Sequence, residues 1–89
     1  MVSNFTNHLY QLTDEFCKNE GVDFTMLQPI IEETAMRLRS NFAVNLQTGP
    51  AIRNDQSTLD KHIQALSNHP ELKSVYLSFT ERLINRRLV

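Results

Sequence analysis

The chain has little of what breaks or staples a fold. Its 89 residues include two glycines, three prolines, one cysteine and no tryptophan. A lone cysteine, Cys17, excludes an internal disulfide and fits a reducing cytosol better than a secreted scaffold. With so few glycines and prolines the sequence runs in long uninterrupted stretches, without repeats, low-complexity segments or long linkers. Charge of one sign is also lacking. Nine basic and ten acidic residues leave a net charge of −1, so no overall field would hold nucleic acid or an anionic membrane. No apolar run approaches the roughly 18 residues of a membrane span. The polar start SNFTNH (3–8) is not a signal peptide either. No membrane partner is expected, and the location expected is cytoplasmic. Hydrophobic residues at 40% and charged residues at 21% make a globular balance. A chain of this size makes one domain, 1–89, which buries about 60–65% of its unfolded surface around a modest core.

What is present is helical periodicity. Val2, Phe5, Leu9, Leu12 and Phe16 recur at spacings of three and four, which lines one stripe of a helix. Gly21 is placed to end that helix in the left-handed conformation, and Asp23 to cap the next. Phe24, Leu27, Ile31, Ala35 and Leu38 form a second apolar face, widened by Ile30 and Thr34. Pro29 lies too deep in this stretch to be tolerated freely, which predicts a kink or a late true start. Glu33 and Arg37, one turn apart, can pair weakly. A short helical turn is expected around Phe42 to Leu46. After Gly49-Pro50, Asp55 or Ser57 caps a third helix carrying Leu59, Ile63 and Leu66, with Ser57 to Asp60 at capping-box spacing. Asn68-His69-Pro70 closes it and opens the last, whose stripe is Leu72, Val75, Tyr76, Phe79 and Leu83, extended by Ile84 and Leu88. No segment alternates with period two. The fold class expected is all-α, with four main helices and a possible short one.

The first helix lacks a convincing start. Its stripe is already running at Val2; Ser3 could cap, with Val2 packing as the residue before the cap. This reads as a chain cut from something longer.

The stretch LQTGPAIRND (46–55) holds the only Gly-Pro pair, with an arginine and an aspartate close behind. It is not a phosphate loop. Such loops need several glycines so that backbone amides can approach the anion, and this one has a single glycine, no lysine and no leading strand. No metal site is expected: His62 and His69 are seven apart across a helix boundary, and no HExxH or CxxC spacing occurs. Cys17, beside Phe16, reads as a buried structural thiol. Arg82, Arg86 and Arg87 complement the last helix's dipole as a solvated face, which leaves no case for nucleic acid. Thr48, Arg53, Asp55 and His62 remain, with two readings. In one, Thr48, Gly49 and Pro50 make a turn, Asp55 caps a helix, Arg53 pairs with Asp55 or exposed carbonyls, and His62 is a half-buried polar residue. In the other, Arg53 is a fixed cation for an anionic substrate or cofactor group, and His62 is its hydrogen-bonding or acid–base partner. Asp55 and His62, seven apart, would share a helix face.

QTGPAIRND (47–55), followed by His62, closely resembles a signature of short NADP-dependent dehydrogenase-like proteins. These carry an N-terminal Rossmann domain and a helical C-terminal domain of uncharacterised function. SNFTNHLY (3–10) matches the opening of that helical domain and PIIEET (29–34) its second helix. The resemblance covers essentially the whole chain, in the same order. The architecture it implies is similar to the C-terminal domains of 6-phosphogluconate dehydrogenase, ketopantoate reductase and pyrroline-carboxylate reductase relatives. There the helical domain builds the dimer interface and one wall of the cleft facing the nicotinamide. The resemblance places Asn4, Asn7, Thr48, Gly49, Pro50, Arg53, Asp55 and His62 at motif positions without assigning their roles. Arg53 and His62 are the catalytic candidates, and the others are cleft or motif residues. The departure is the missing GxGxxG, leading strand and ribose-binding acid. The resemblance therefore implies an isolated C-terminal domain that binds no cofactor and catalyses nothing alone. NADP is expected for the full-length parent, with the missing Rossmann domain and a second copy as partners. The competing expectation is a freestanding helical interaction module. A small helical enzyme using His62 is a third, weakened by the absence of a demonstrable oriented acid–base pair.

Overall fold

Helices account for all the regular structure of the computed structural model, which describes residues 1–87; no strand occurs among them. There are four α-helices, α1 (Val2–Glu20), α2 (Gln28–Arg37), α3 (Gln56–Ala65) and α4 (Pro70–Arg87). Two 3-10 helices, η1 (Phe24–Leu27) and η2 (Ala43–Asn45), complete the described set. The chain divides into two compact units, one spanning Met1–Leu46 and the other beginning at Gln47. This is the all-α fold that the periodicity predicts, and η2 is the short turn expected near Phe42.

In the first unit, α1 begins without a side-chain cap. Met1 stands at the N-cap, and its carbonyl accepts from the Phe5 amide at 3.0 Å. Ser3 does not cap the helix; it lies inside the first turn and its hydroxyl donates to Asn4 Oδ1. The helix ends as predicted at Gly21, with φ 71° and ψ 27°. The Val22 amide reaches back to the Cys17 carbonyl at 2.8 Å, the closing bond of a Schellman motif. Only the later part of the apolar stripe is covered. Leu12 and the free thiol Cys17 are buried, Leu9 and Phe16 are half-buried, and Val2 and Phe5 are 84% and 73% exposed.

Pro29 decides where the second α-helix begins. Lacking an amide hydrogen, it cannot sit inside an α-helix without losing a bond, but it is tolerated in the first turn. The chain accordingly forms η1 first, capped by Asp23, and starts α2 at Gln28 with Pro29 in its first turn. The late start is the outcome, not a kink. Asp23 Oδ1 accepts from the Thr25 hydroxyl at 2.8 Å and the Thr25 amide at 2.9 Å, bonds that hold its carboxyl below the usual range. Glu33 and Arg37 pair at 2.7 Å on the exposed side. The apolar face predicted for α2 is less buried than its spacing suggests. Phe24, Leu27 and Ile31 are half-buried, whereas Ile30, Ala35 and Leu38 are exposed.

The second unit is a helical hairpin with a folded loop before it. Ala51, Leu59 and Leu66 are buried, and His69 with them. Burying a leucine side chain fully contributes about 1.5–3 kcal/mol. Helix α3 closes where the Leu66 amide is shared between the carbonyls of His62 and Ile63. Pro70 then opens α4, as its position before a helical stripe predicts. Leu72, Val75, Tyr76, Leu83 and Ile84 are half-buried, while Phe79, expected on the same stripe, is 53% exposed. Leu88 lies outside the described residues.

Candidate functional site

The loop from Gly49 to Asp55 is a single tight coil with a reversed residue at each end. Gly49 has φ 110° and Asn54 φ 57°, both in the region that L side chains rarely enter. Between them the chain turns helically. The Arg53 amide donates to the Gly49 carbonyl at 3.3 Å, Asn54 to Ala51 at 3.3 Å, and Asp55 to Pro50 at 2.9 Å. Buried Ala51 anchors the coil from inside. Asn54 lets the chain leave this coil and enter α3, because a short amide side chain tolerates the left-handed conformation better than most.

Asp55, not Ser57, is the N-cap of α3. Its Oδ1 accepts from the Thr58 amide at 3.1 Å and its Oδ2 from the Thr58 hydroxyl at 2.7 Å. These bonds, the hydroxyl first, hold its carboxyl below the ordinary carboxylate value, with smaller help from Arg53 and Lys61. Arg53 stands 4.0 Å from the same Oδ2 and keeps just over half of its side chain exposed. At that length and exposure the ion pair contributes little, and the guanidinium remains available to an anion. Thr48 is exposed, Gly49 and Pro50 half-buried, and the Thr48 carbonyl accepts from Gln47 Nε2 at 3.0 Å.

His62 departs from its expected surroundings. It is exposed rather than half-buried, and its partner comes from α4: Nδ1 lies 2.8 Å from the Tyr76 hydroxyl. The two rings meet edge to face, with centroids 5.7 Å apart and planes at 79°. Burial pushes the Tyr76 phenol up, and a hydrogen bond with Thr80 opposes it. Asp55 and His62 thus do not act on each other as an oriented acid–base pair through these bonds; one holds Thr58 and the other Tyr76.

Asn4 and Asn7 lie in the first unit, exposed on α1. Asn7 lines an open groove of about 620 Å³ together with Tyr10, Gln11, Asp14 and Phe24. Sequence reasoning missed three participants. Tyr76 was counted as a stripe residue, although a partly buried phenol usually finds a hydrogen-bond partner. Asn54 carried a usable signal, being an Asn just before a helix cap. Arg87 carried none: its Nε donates to the Ile52 carbonyl at 3.0 Å, tying α4 to the loop across 35 positions. It is not merely part of a solvated face.

Among the described residues no group of three His, Cys, Asp or Glu side chains could hold a metal ion. Nor is any helix long and apolar enough to cross a membrane. The residues present do not fit a dinucleotide. The Gly49 turn has one glycine and follows η2 rather than a strand, so no backbone cradle for a pyrophosphate is formed.

Residues 1–83 match the profile of a family described as a domain of unknown function, DUF2520. The chain belongs to this family. Among solved structures, this DUF2520 domain is similar to the crystal structure of a "putative NADP oxidoreductase" from Bacteroides fragilis. The two share 34% sequence identity at a TM-score of 0.86, over 93% of this chain and 32% of the other. The DUF2520 chain therefore spans about a third of that protein's length. No curated protein matches the sequence.

Proposed function

We propose that this DUF2520 chain is the helical substrate-cleft and dimerisation domain of an NADP-dependent oxidoreductase, with dinucleotide binding supplied by a separate Rossmann domain. The observation that carries this reading is the likeness to the Bacteroides fragilis protein, close over nearly all of this chain yet confined to 32% of the other. In this reading Arg53 offers a fixed cation to an anionic group of the substrate, and His62 a hydrogen bond. Asn4, Asn7, Thr48, Gly49 and Pro50 are motif positions of the cleft wall. Asp55 serves it indirectly by capping α3. The buried free thiol Cys17 suits a reducing compartment such as the cytoplasm.

The dimerisation half is supported by the uncovered part of the α1 stripe. An exposed valine and phenylalanine in consecutive turns of one stripe are apolar surface that a second copy could cover. In a two-fold interface each such side chain is buried twice. Phe5→Ser is expected to weaken self-association on the order of 100-fold, from about 1.5–3 kcal/mol per buried copy reduced by its existing cover. Sedimentation equilibrium of the wild type and Phe5→Ser checks this. A wild type that stays monomeric at millimolar concentration refutes the dimer; an equally tight Phe5→Ser dimer moves the interface elsewhere.

A further inference from the structure

The contact between α3 and α4 decides which nitrogen of His62 can serve a ligand. His62 lies in the last turn of α3, and Tyr76 in the second turn of α4, 14 positions later. Their 2.8 Å contact joins an imidazole nitrogen to a phenol oxygen, and only one hydrogen can lie between them. The phenol is the stronger acid of the two groups and the imidazole nitrogen the stronger acceptor. The best donor therefore meets the best acceptor when Tyr76 donates to Nδ1. A partly desolvated phenol also keeps its proton. The edge-to-face seating of the rings holds the imidazole against rotation.

We infer that Tyr76 is a positioning residue that holds neutral His62 as the Nε2–H tautomer, so that this exposed imidazole presents one directed N–H donor. Such a donor suits an oxygen acceptor on the ligand: a carbonyl, a carboxylate or an alkoxide. It does not suit an ammonium or another N–H donor, because the acceptor nitrogen is already engaged by Tyr76. The tautomer assignment rests on the His62–Tyr76 contact, whereas its use toward a ligand rests on the cleft reading proposed above.

Long-range proton–nitrogen correlation spectra of the ¹⁵N-labelled chain test it, recorded on the neutral ring. In the wild type the His62 hydrogen is expected on Nε2. Tyr76→Phe removes only the hydroxyl, and the ratio of Nδ1–H to Nε2–H should rise about two- to twelvefold, the bias one ordinary hydrogen bond supplies. The urea-unfolded wild type provides the same reference should that variant fold poorly. A wild-type hydrogen on Nδ1 overturns the inference. So does a ratio unchanged in the folded variant or, where that variant does not fold, in the unfolded chain.

A second arm separates this inference from the cleft reading, using NADPH turnover by the longer protein with His62→Ala and Tyr76→Phe. Loss of turnover in His62→Ala without a tautomer shift in Tyr76→Phe refutes the role of Tyr76 and spares the cleft. A tautomer shift with turnover indifferent to His62→Ala supports the positioning role and refutes the use of His62 in the cleft.

Discussion

Replacing Gly49 with alanine isolates what the loop demands of the backbone. A Cβ at Gly49 would meet no atom within 4 Å, so a steric clash contributes nothing to the outcome. What remains is the dihedral. At φ 110° an L residue lies beyond even the left-handed helical well, and holding it there costs about 1–3 kcal/mol. Asn54 at φ 57° lies inside that well, so Asn54→Ala should cost about 1 kcal/mol, and Asn54→Gly close to nothing. Gly21→Ala, at φ 71° with open space around it, is the comparison at the end of α1, expected near 1–2 kcal/mol. Urea unfolding followed by far-ultraviolet circular dichroism measures all four, reading the midpoint at unchanged slope. Gly49→Ser serves as a size control. With no clash, it should match Gly49→Ala within about 0.5 kcal/mol, the ordinary scatter of substitutions without a specific mechanism. The sign decides the matter. A glycine in an ordinary conformation gains about 0.4–1 kcal/mol on replacement by alanine, because the unfolded chain is stiffened. Stabilisation by Gly49→Ala would therefore refute the reversed dihedral and with it the coil from Gly49 to Asp55.

Two further outcomes concern the same unit. Arg87→Ala should cost near the lower end of about 0.5–1.5 kcal/mol, since the lost bond to the Ile52 carbonyl is exposed. Amide hydrogen exchange should quicken in the Pro50–Asp55 coil, and unchanged exchange there would show that α4 does not brace it. Acid should weaken the α3 cap. Because the folded Asp55 carboxyl titrates below its ordinary value of 3.8, its contribution is fully present above that value and is lost as pH falls through the lower folded one. Thr58→Val deletes the hydroxyl that is the largest cause. Its urea midpoint should lie below that of the wild type near neutral pH, and the gap should narrow below about pH 3.8. A gap that persists undiminished into strong acid would assign the effect to packing rather than to the carboxylate.

Local chemistry made much of this fold legible. Gly21 and Asp23 mark their helix ends through dihedral freedom and a side-chain acceptor, both properties of single residues. Pro29, with its fixed φ and no amide hydrogen, announced a kink or a late start, and the chain takes the late start. Burial was less legible. Phe5, Leu38 and Phe79 stand on regular apolar stripes yet remain exposed. Periodicity states which residues share a face, but not whether anything covers that face. The candidate site divides the same way. Asp55 could be read as a cap from its place before a helix, whereas the engagement of His62 by Tyr76 could not.

By itself, then, the sequence determined the all-α class and most of the punctuation of the helices. Each rests on propensities or identities within a few residues. Tertiary structure alone decided that the Ile52 carbonyl is held by Arg87 and that a phenol from α4 meets the His62 ring. Those contacts join positions 35 and 14 apart, and their distances depend on how the helices pack. A hydrogen bond needs its atoms within a few tenths of an ångström, and no spacing along a chain specifies that across two helices.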